Sequence, residues 1–328
     1  MDAEEAKKLC TMAASIVGNG CTGEQAAAAA EMFRRVADAG YPDGQFGLAE
    51  MMFNGIGMPR DIKASMDLYR KAADAGNIPA LFRLGGILAE VEEFADPKGA
   101  FDCMKRCAEA RFPPAFGVLG DMFYYGHGTE SDPSQAINWY RLASAAGDPG
   151  SMFKVACMCR SGMGTEKDDE AADAMFMVSA QAGIPEAMFE VAHSMYSGRM
   201  GGDKAEAARW YEKCADAIPT AKFNLAAMCL IGDGIPKDPK RAFRLYREVA
   251  ESSGDKDALF QVGRMLLEGL GTEQDSNEGF HYLVRAADAG NEDAAAIVNG
   301  LRRRMNSQIV TIDGTEGQVE EILKDRKG

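Results

Sequence analysis

The sequence predicts an all-α solenoid of about eight helix-turn-helix repeats closed by a single capping helix, and three observations carry that prediction. A turn of small residues ending in glycine recurs at Gly40 and Gly76, Gly147 and Gly183, and Gly254 and Gly290, each pair 36 residues apart. The two longer gaps, Gly76 to Gly147 and Gly183 to Gly254, are each 71 residues, two repeats less one residue, with Arg111 and Ala217-Ile218 at the missing junctions. Each interval holds two stretches of helical periodicity, and a period in this range is the mark of a helical repeat array. Composition agrees: 46% hydrophobic and 26% charged residues fit a folded chain and exclude wholesale disorder, and 36 glycines against 12 prolines suit many helix ends.

Residues 4–40 match the repeat poorly in their first helix but well in their second, where Ala29, Phe33 and Ala37 fall in register. A degenerate first repeat is how such arrays cap an end. From there each first helix begins with a small residue four positions after the turn (Gly44, Ala80, Ala115, Ser151, Ala187, Ala221, Ala258, Ala294). An aromatic follows two positions on (Phe46, Phe82, Phe153, Phe189, Phe223, Phe260), then an aliphatic and a second small residue, as in Leu119-Gly120. Small residues on that face let neighbouring backbones approach closely. Glycine pairs such as Gly55-Ile56-Gly57, Gly126-His127-Gly128, Gly162-Met163-Gly164 and Gly232-Asp233-Gly234 end the helix. Two loops depart from this: Glu92-Glu93-Phe94 in repeat three and Arg199-Met200-Gly201-Gly202 in repeat six, where a different path is expected.

The second helix opens on a capping carboxylate, with proline at the first helical position in Asp96-Pro97, Asp132-Pro133 and Asp238-Pro239, and without it at Asp61 and Asp275. A bulky pair follows (Leu68-Tyr69, Trp139-Tyr140, Trp210-Tyr211, Leu245-Tyr246), with a small residue four positions before its second member (Ser65, Ala136, Ala207, Ala242). No single hairpin buries this face, so stacking must. After Gly290, residues Asn291 to Asn306 read as a lone first helix with Arg302-Arg303-Arg304 at its solvated end. The repeat array is thus expected over 1–306. The tail, 307–328, is expected to be loosely docked or mobile, with a short strand at Ile309 to Ile312 and a frayed helix at Gln318 to Lys327.

Taken together these residues resemble the Sel-one-like repeat family of the tetratricopeptide superfamily, whose pattern repeat four carries nearly whole: Ala115, Leu119-Gly120, Gly126-His127-Gly128, Asp132, Ala136, Trp139-Tyr140 and Gly147. The resemblance covers roughly residues 5 to 306 and recurs regularly. It implies a right-handed α-solenoid whose first helices line a concave side, and a role as a protein-binding scaffold.

A formal charge of −14 and a pI near 4.8 argue against nucleic acid and anionic membrane surfaces as partners. The acidic N-terminus shows no signal peptide and no apolar run reaches the roughly 20 residues of a membrane span, so a cytoplasmic location is expected. Eight irregularly spaced cysteines fit reduced thiols better than a disulfide framework, with Cys103, Cys107, Cys159 and Cys229 at packing positions. No cofactor or metal motif is present. The glycine pairs end helices instead of following strands, His127 lies in a glycine loop, and His281 lies beside Tyr282 on a second helix.

A candidate binding surface lies on the first helices, where positions 3, 7, 10 and 14 after the turn form one stripe that varies between repeats. The residues chosen from it are Glu50, Asn54, Arg83, Glu90, Val118, Asp121, Tyr125, Lys154, Glu190, His193, Asn224, Ile231, Gln261 and Arg264. A solvated face would be polar anyway, but Val118, Tyr125 and Ile231 are apolar on it, and the last two are expected to anchor a bound segment. The whole stripe holds eight carboxylates against three cations, which favours a partner of basic character. Asp121, Cys157 and His193 share one position in successive repeats, but the spacing is long for a thiol–imidazole pair and nothing resembles an oxyanion hole. The expected function is therefore a non-enzymatic adaptor binding a protein or peptide in the groove, of unknown oligomeric state. One alternative is an enzyme like the cysteine-rich penicillin-binding or β-lactamase-like members of the family, which eight irregular cysteines disfavour. Another is self-assembly through the convex face or tail.

Overall fold

The computed structural model describes residues 1–18 and 20–309, with side chains described as far as residue 303. The expected tail from residue 310 onward lies outside the described residues, and Ile309, assigned above to a short strand, closes a helix instead. Among the described residues all regular structure is helical, in seventeen α-helices and one 3₁₀ turn. They fall into two compact units, residues 1–179 and the chain from residue 180.

The first unit holds four hairpins and all but the last two residues of a fifth: α1 (Ala3–Gly18) with α2 (Gly23–Asp38), α3 (Pro42–Asn54) with α4 (Ile62–Asp74), α5 (Ile78–Glu90) with α6 (Pro97–Glu109), α7 (Pro114–Tyr125) with α8 (Pro133–Ala145), and α9 (Pro149–Ser161) with α10 (Asp169–Gln181). From α1 to α9 each helix packs on the next in sequence, so every hairpin is also stacked on its neighbour. The second unit repeats the scheme with α11 (Pro185–Tyr196) and α12 (Lys204–Cys214), α13 (Pro219–Ile231) and α14 (Pro239–Ser253), α15 (Lys256–Glu268) and α16 (Ser276–Asp288), and the lone α17 (Glu292–Ile309). The eight hairpins and closing helix expected from the period are all present, making the chain an α-solenoid.

The expected caps do their work. Asp61, Asp96, Asp132, Asp238 and Asp275 each accept a hydrogen bond from a backbone N–H in the first turn of the following helix. First helices have their own caps one residue past the turn glycine, Asn77, Asp148, Asp255 and Asn291, which the sequence reading did not single out. Hairpins are interlocked by the aromatic of the first helix meeting a bulky ring of the second, as in Phe46–Tyr69, Phe153–Phe176, Phe189–Tyr211 and Phe223–Tyr246, with centroids 6.1, 5.5, 5.8 and 5.0 Å apart. The small residues explain themselves by contact: a Cβ on Gly120 would stand 2.6 Å from the Tyr140 ring.

The glycine loop joins one repeat to the one before it. Its first glycine ends the helix in the left-handed conformation, and its second rests on the opening turn of the preceding second helix. A Cβ on Gly128 would come within 2.6 Å of the Pro97 carbonyl carbon. Repeat three replaces this loop with the 3₁₀ turn Glu92–Phe94, as its sequence foretold, and Phe94 packs half-buried against the core. Arg111, standing where a turn glycine is missing, adopts the glycine conformation with φ 57°. The five cysteines Cys103, Cys107, Cys159, Cys214 and Cys229 are buried, and burial pushes the Cys107 thiol up to about 12. No helix among the described residues is long and apolar enough to cross a membrane.

Candidate functional site

Position 14 of each first helix is its last residue or next to it, just before the loop. Among the repeats it is polar at Asn54, Glu90, Ser161, Ser197 and Glu268, and apolar only at Tyr125 and Ile231. Both of these are held out to solvent, 62% and 66% exposed, by glycines Gly126 and Gly232 that end the helices in the left-handed conformation. Tyr125 does not stand alone. Its ring lies against His127 at 5.6 Å and 24°, and meets Tyr124 edge-on at 4.9 Å. The third apolar stripe residue behaves differently: Val118, expected on the open face, sits half-buried against the core of its unit. Position 7 faces the preceding hairpin, where Gly47 would press a Cβ into Phe33.

Stacking also commits several stripe charges to one another. Glu50 accepts from the Tyr69 hydroxyl at 2.5 Å and from Arg83 of the next repeat at 2.6 and 3.1 Å. Asp121 repeats the arrangement 71 residues on, accepting from Tyr140 at 2.6 Å and Lys154 at 2.5 Å. Burial, then the hydrogen bond to the carboxylate, pushes the Tyr69 and Tyr140 phenols far above their usual range, so both remain donors at any ordinary pH. The cations are further held over rings, Arg83 over Phe53 and Lys154 over Tyr140. In the second unit Arg264 lies 3.8 Å from Glu268 on its own helix. Each of the three stripe cations therefore faces a stripe carboxylate. The signal for this was present in the sequence: an acid, a tyrosine 19 residues later and a cation 33 residues later, occurring twice. Only helix stacking says that these spacings are contacts.

The other chosen residues divide by exposure. Glu90 and His193 are exposed, and His193 stacks on Phe189 of its own helix at 6.2 Å and 10°. Asn54 is exposed and donates to the Glu50 carbonyl oxygen. Glu190, Asn224 and Gln261 are half-buried, and Asn224 hydrogen bonds toward the Tyr211 phenol, which burial pushes up to about 12. Of the shared-position trio, Asp121 is engaged by Tyr140 and Lys154 as above, and Cys157 is exposed. Tyrosine–carboxylate–cation clusters recur elsewhere in the second unit. Tyr196 and Lys204 hold Asp233, and their hydrogen bonds keep its carboxyl below the usual range. Tyr282 and Arg285 do the same for Glu251.

Comparison with known proteins follows the same pattern. The family model of the Sel1 repeat matches residues 42–77, 118–148, 149–172, 185–217, 219–253 and 256–291. A protective antigen of uropathogenic Escherichia coli with an SLR fold superposes with a TM-score of 0.77 at 26% identity, covering 83% of this chain and 59% of that one. A Sel1 repeat protein of Oxalobacter formigenes superposes with a TM-score of 0.68 at 24% identity, covering 90% of this chain and 86% of that one. Chitin synthase regulatory factor 3 of Schizosaccharomyces pombe is 26% identical over 276 residues, 79% of this chain. The aligned region spans only 25% of that relative's length.

Proposed function

Because the chain belongs to the Sel1 repeat family, we propose that it is a non-enzymatic adaptor that binds segments of another protein on the first-helix surface of its repeats. The observation that carries this reading is that each unit holds one large apolar residue more than half exposed at a position that is otherwise polar, Tyr125 in the first and Ile231 in the second. Large apolar side chains kept out in water by ordered helix ends are what a partner's side chains cover. The partner segment has basic character. The stripe residues count eight carboxylates against three cations, and each of those cations faces one of the carboxylates. Such attraction sets on-rate and orientation more than affinity, and it weakens with salt.

The test is affinity capture with the wild-type chain beside a Tyr125→Ala, Ile231→Ala double variant, both confirmed helical by circular dichroism. Loss of bound proteins from the variant, and from the wild type as salt is raised, is the expected result. Equal capture by both chains sinks the assignment of this face.

A further inference from the structure

Repeats three and four share an edge that the adaptor reading leaves unexplained. The loop of repeat four rests on the start of α6 through Gly128 and Pro97, with Tyr125 three residues before Gly128 in the chain and Glu93 four residues before Pro97. That loop is the one where glycines are replaced by Glu92-Glu93-Phe94. From Leu84 to Asp96 and from Phe112 to Asp132 the chain carries Glu90, Glu92, Glu93, Asp96, Asp121, Glu130 and Asp132, and no lysine or arginine.

Three of those carboxylates have duties. Asp96 and Asp132 cap helices, and Asp121 holds Tyr140 and Lys154. Glu90, Glu92, Glu93 and Glu130 are exposed. Of the cations in the neighbouring repeats, Arg83 is held by Glu50, Arg60 by the Phe53 carbonyl oxygen and Lys154 by Asp121, while Lys98 in the first turn of α6 is exposed, one cation against four exposed glutamates. The aromatic side of the edge is ordered, because His127 supports one face of Tyr125 and Tyr124 abuts its edge, while the ring as a whole stays 62% exposed.

We propose that this edge docks an arginine side chain of the partner protein, with the guanidinium stacked on Tyr125 and its charge met by the exposed glutamates of the same two loops. The inference rests on the adaptor reading and sharpens it to one anchor. A tyrosine face attracts any cation, but a planar guanidinium also stacks and is more weakly hydrated than an ammonium, so arginine is preferred to lysine. Acidic side chains without an aromatic platform attract both alike.

Fluorescence anisotropy with labelled hexa-arginine, hexa-lysine and hexa-glutamate peptides separates these cases. The wild-type chain is expected to bind hexa-arginine more tightly than hexa-lysine and to ignore hexa-glutamate. Tyr125→Ala should weaken hexa-arginine by about two- to five-fold, the range of an exposed cation–π contact, weaken hexa-lysine by less, and so abolish the preference between them. Tyr125→Phe should keep the preference. Glu92→Gln with Glu93→Gln should weaken both cationic peptides together. Equal binding of the two cationic peptides, or hexa-arginine binding that survives Tyr125→Ala, overturns the proposal, as does no binding at all. An Ile231→Ala variant keeps the two readings apart. If it loses captured proteins while the peptides show no dependence on Tyr125, the adaptor reading stands and the arginine anchor falls.

Discussion

Gly126 and Gly128 have the same backbone angle, φ 74°, but different surroundings, so alanine at each position separates strain from contact. The left-handed conformation costs an L-residue about 1–2 kcal/mol, and both substitutions incur it. At Gly126 the new Cβ meets its nearest atom, the Ser131 nitrogen, at 3.3 Å, a tightness that a small loop shift relieves. At Gly128 the Cβ is driven against the Pro97 carbonyl, with its carbon at 2.6 Å and the Phe101 Cβ at 3.0 Å. Carbon atoms rest about 3.5–4.0 Å apart. The loop must therefore lift off α6 by about an ångström, and no side-chain rotation can prevent it. Overpacking of this kind adds about 1–3 kcal/mol, which makes Gly128→Ala the costlier change by that amount. The chain has two tryptophans, and Trp139 stacks on Phe116 within repeat four at 6.1 Å and 29°. In a Trp210→Phe background, urea unfolding followed by tryptophan fluorescence thus reports the repeat whose loop is altered. Gly128→Ala should lower the midpoint well beyond Gly126→Ala. Because it loosens the interface between repeats three and four, it should also broaden the transition, as a weakened neighbour coupling does in a repeat array. Coincident midpoints for the two variants would refute the claim that the second loop glycine is required for inter-repeat contact.

Two further outcomes follow from particular residues. Arg111 is the sole non-glycine with positive φ among the described residues, so Arg111→Gly should relieve strain and stabilise the first unit by up to about 1 kcal/mol, or about 2–4 °C in melting temperature. Arg111→Ala keeps the strain and serves as control, and an equal melting temperature for the two argues against it. Tyr140, whose phenol is raised by burial and by its bond to Asp121, contributes stability that is fully present below its unfolded pKa near 10 and is lost as pH rises above it, because the unfolded state ionises first. Tyr140→Phe should cost about 1.5–3 kcal/mol at neutral pH for a hydrogen bond to a charged group. It should also reduce the alkaline loss of stability by about 1.4 kcal/mol per pH unit. Identical slopes for the variant and wild type, in urea titrations between pH 9 and 11, would contradict the buried, hydrogen-bonded phenol.

Much of the architecture was legible because it is local. Helix starts follow from Asp61, Asp96 and Asp132 bonding backbone groups three residues ahead, and a one-dimensional pattern records such contacts directly. The 36-residue period reveals stacking because a hairpin with an unburied face has only its neighbour to cover it. Even the exceptions were readable: Arg111 took over a glycine's role, and Glu92-Glu93-Phe94 formed a different turn. The candidate surface was less legible. Tyr125 and Ile231 stand exposed as the last residues of their helices, whereas Val118 on the same stripe turns half inward.

The sequence by itself thus determined the repeat, its caps, its small-residue contacts and the acidic balance of the chain. Tertiary structure alone decided which charges the molecule uses internally. Glu50 with Arg83 and Asp121 with Lys154 lie 33 residues apart in the chain and at hydrogen-bond distance in space. Their meeting depends on how far each hairpin is displaced from the last. That displacement is set by side chains such as Gly47 against Phe33 and Gly128 against Pro97, packed to within a fraction of an ångström.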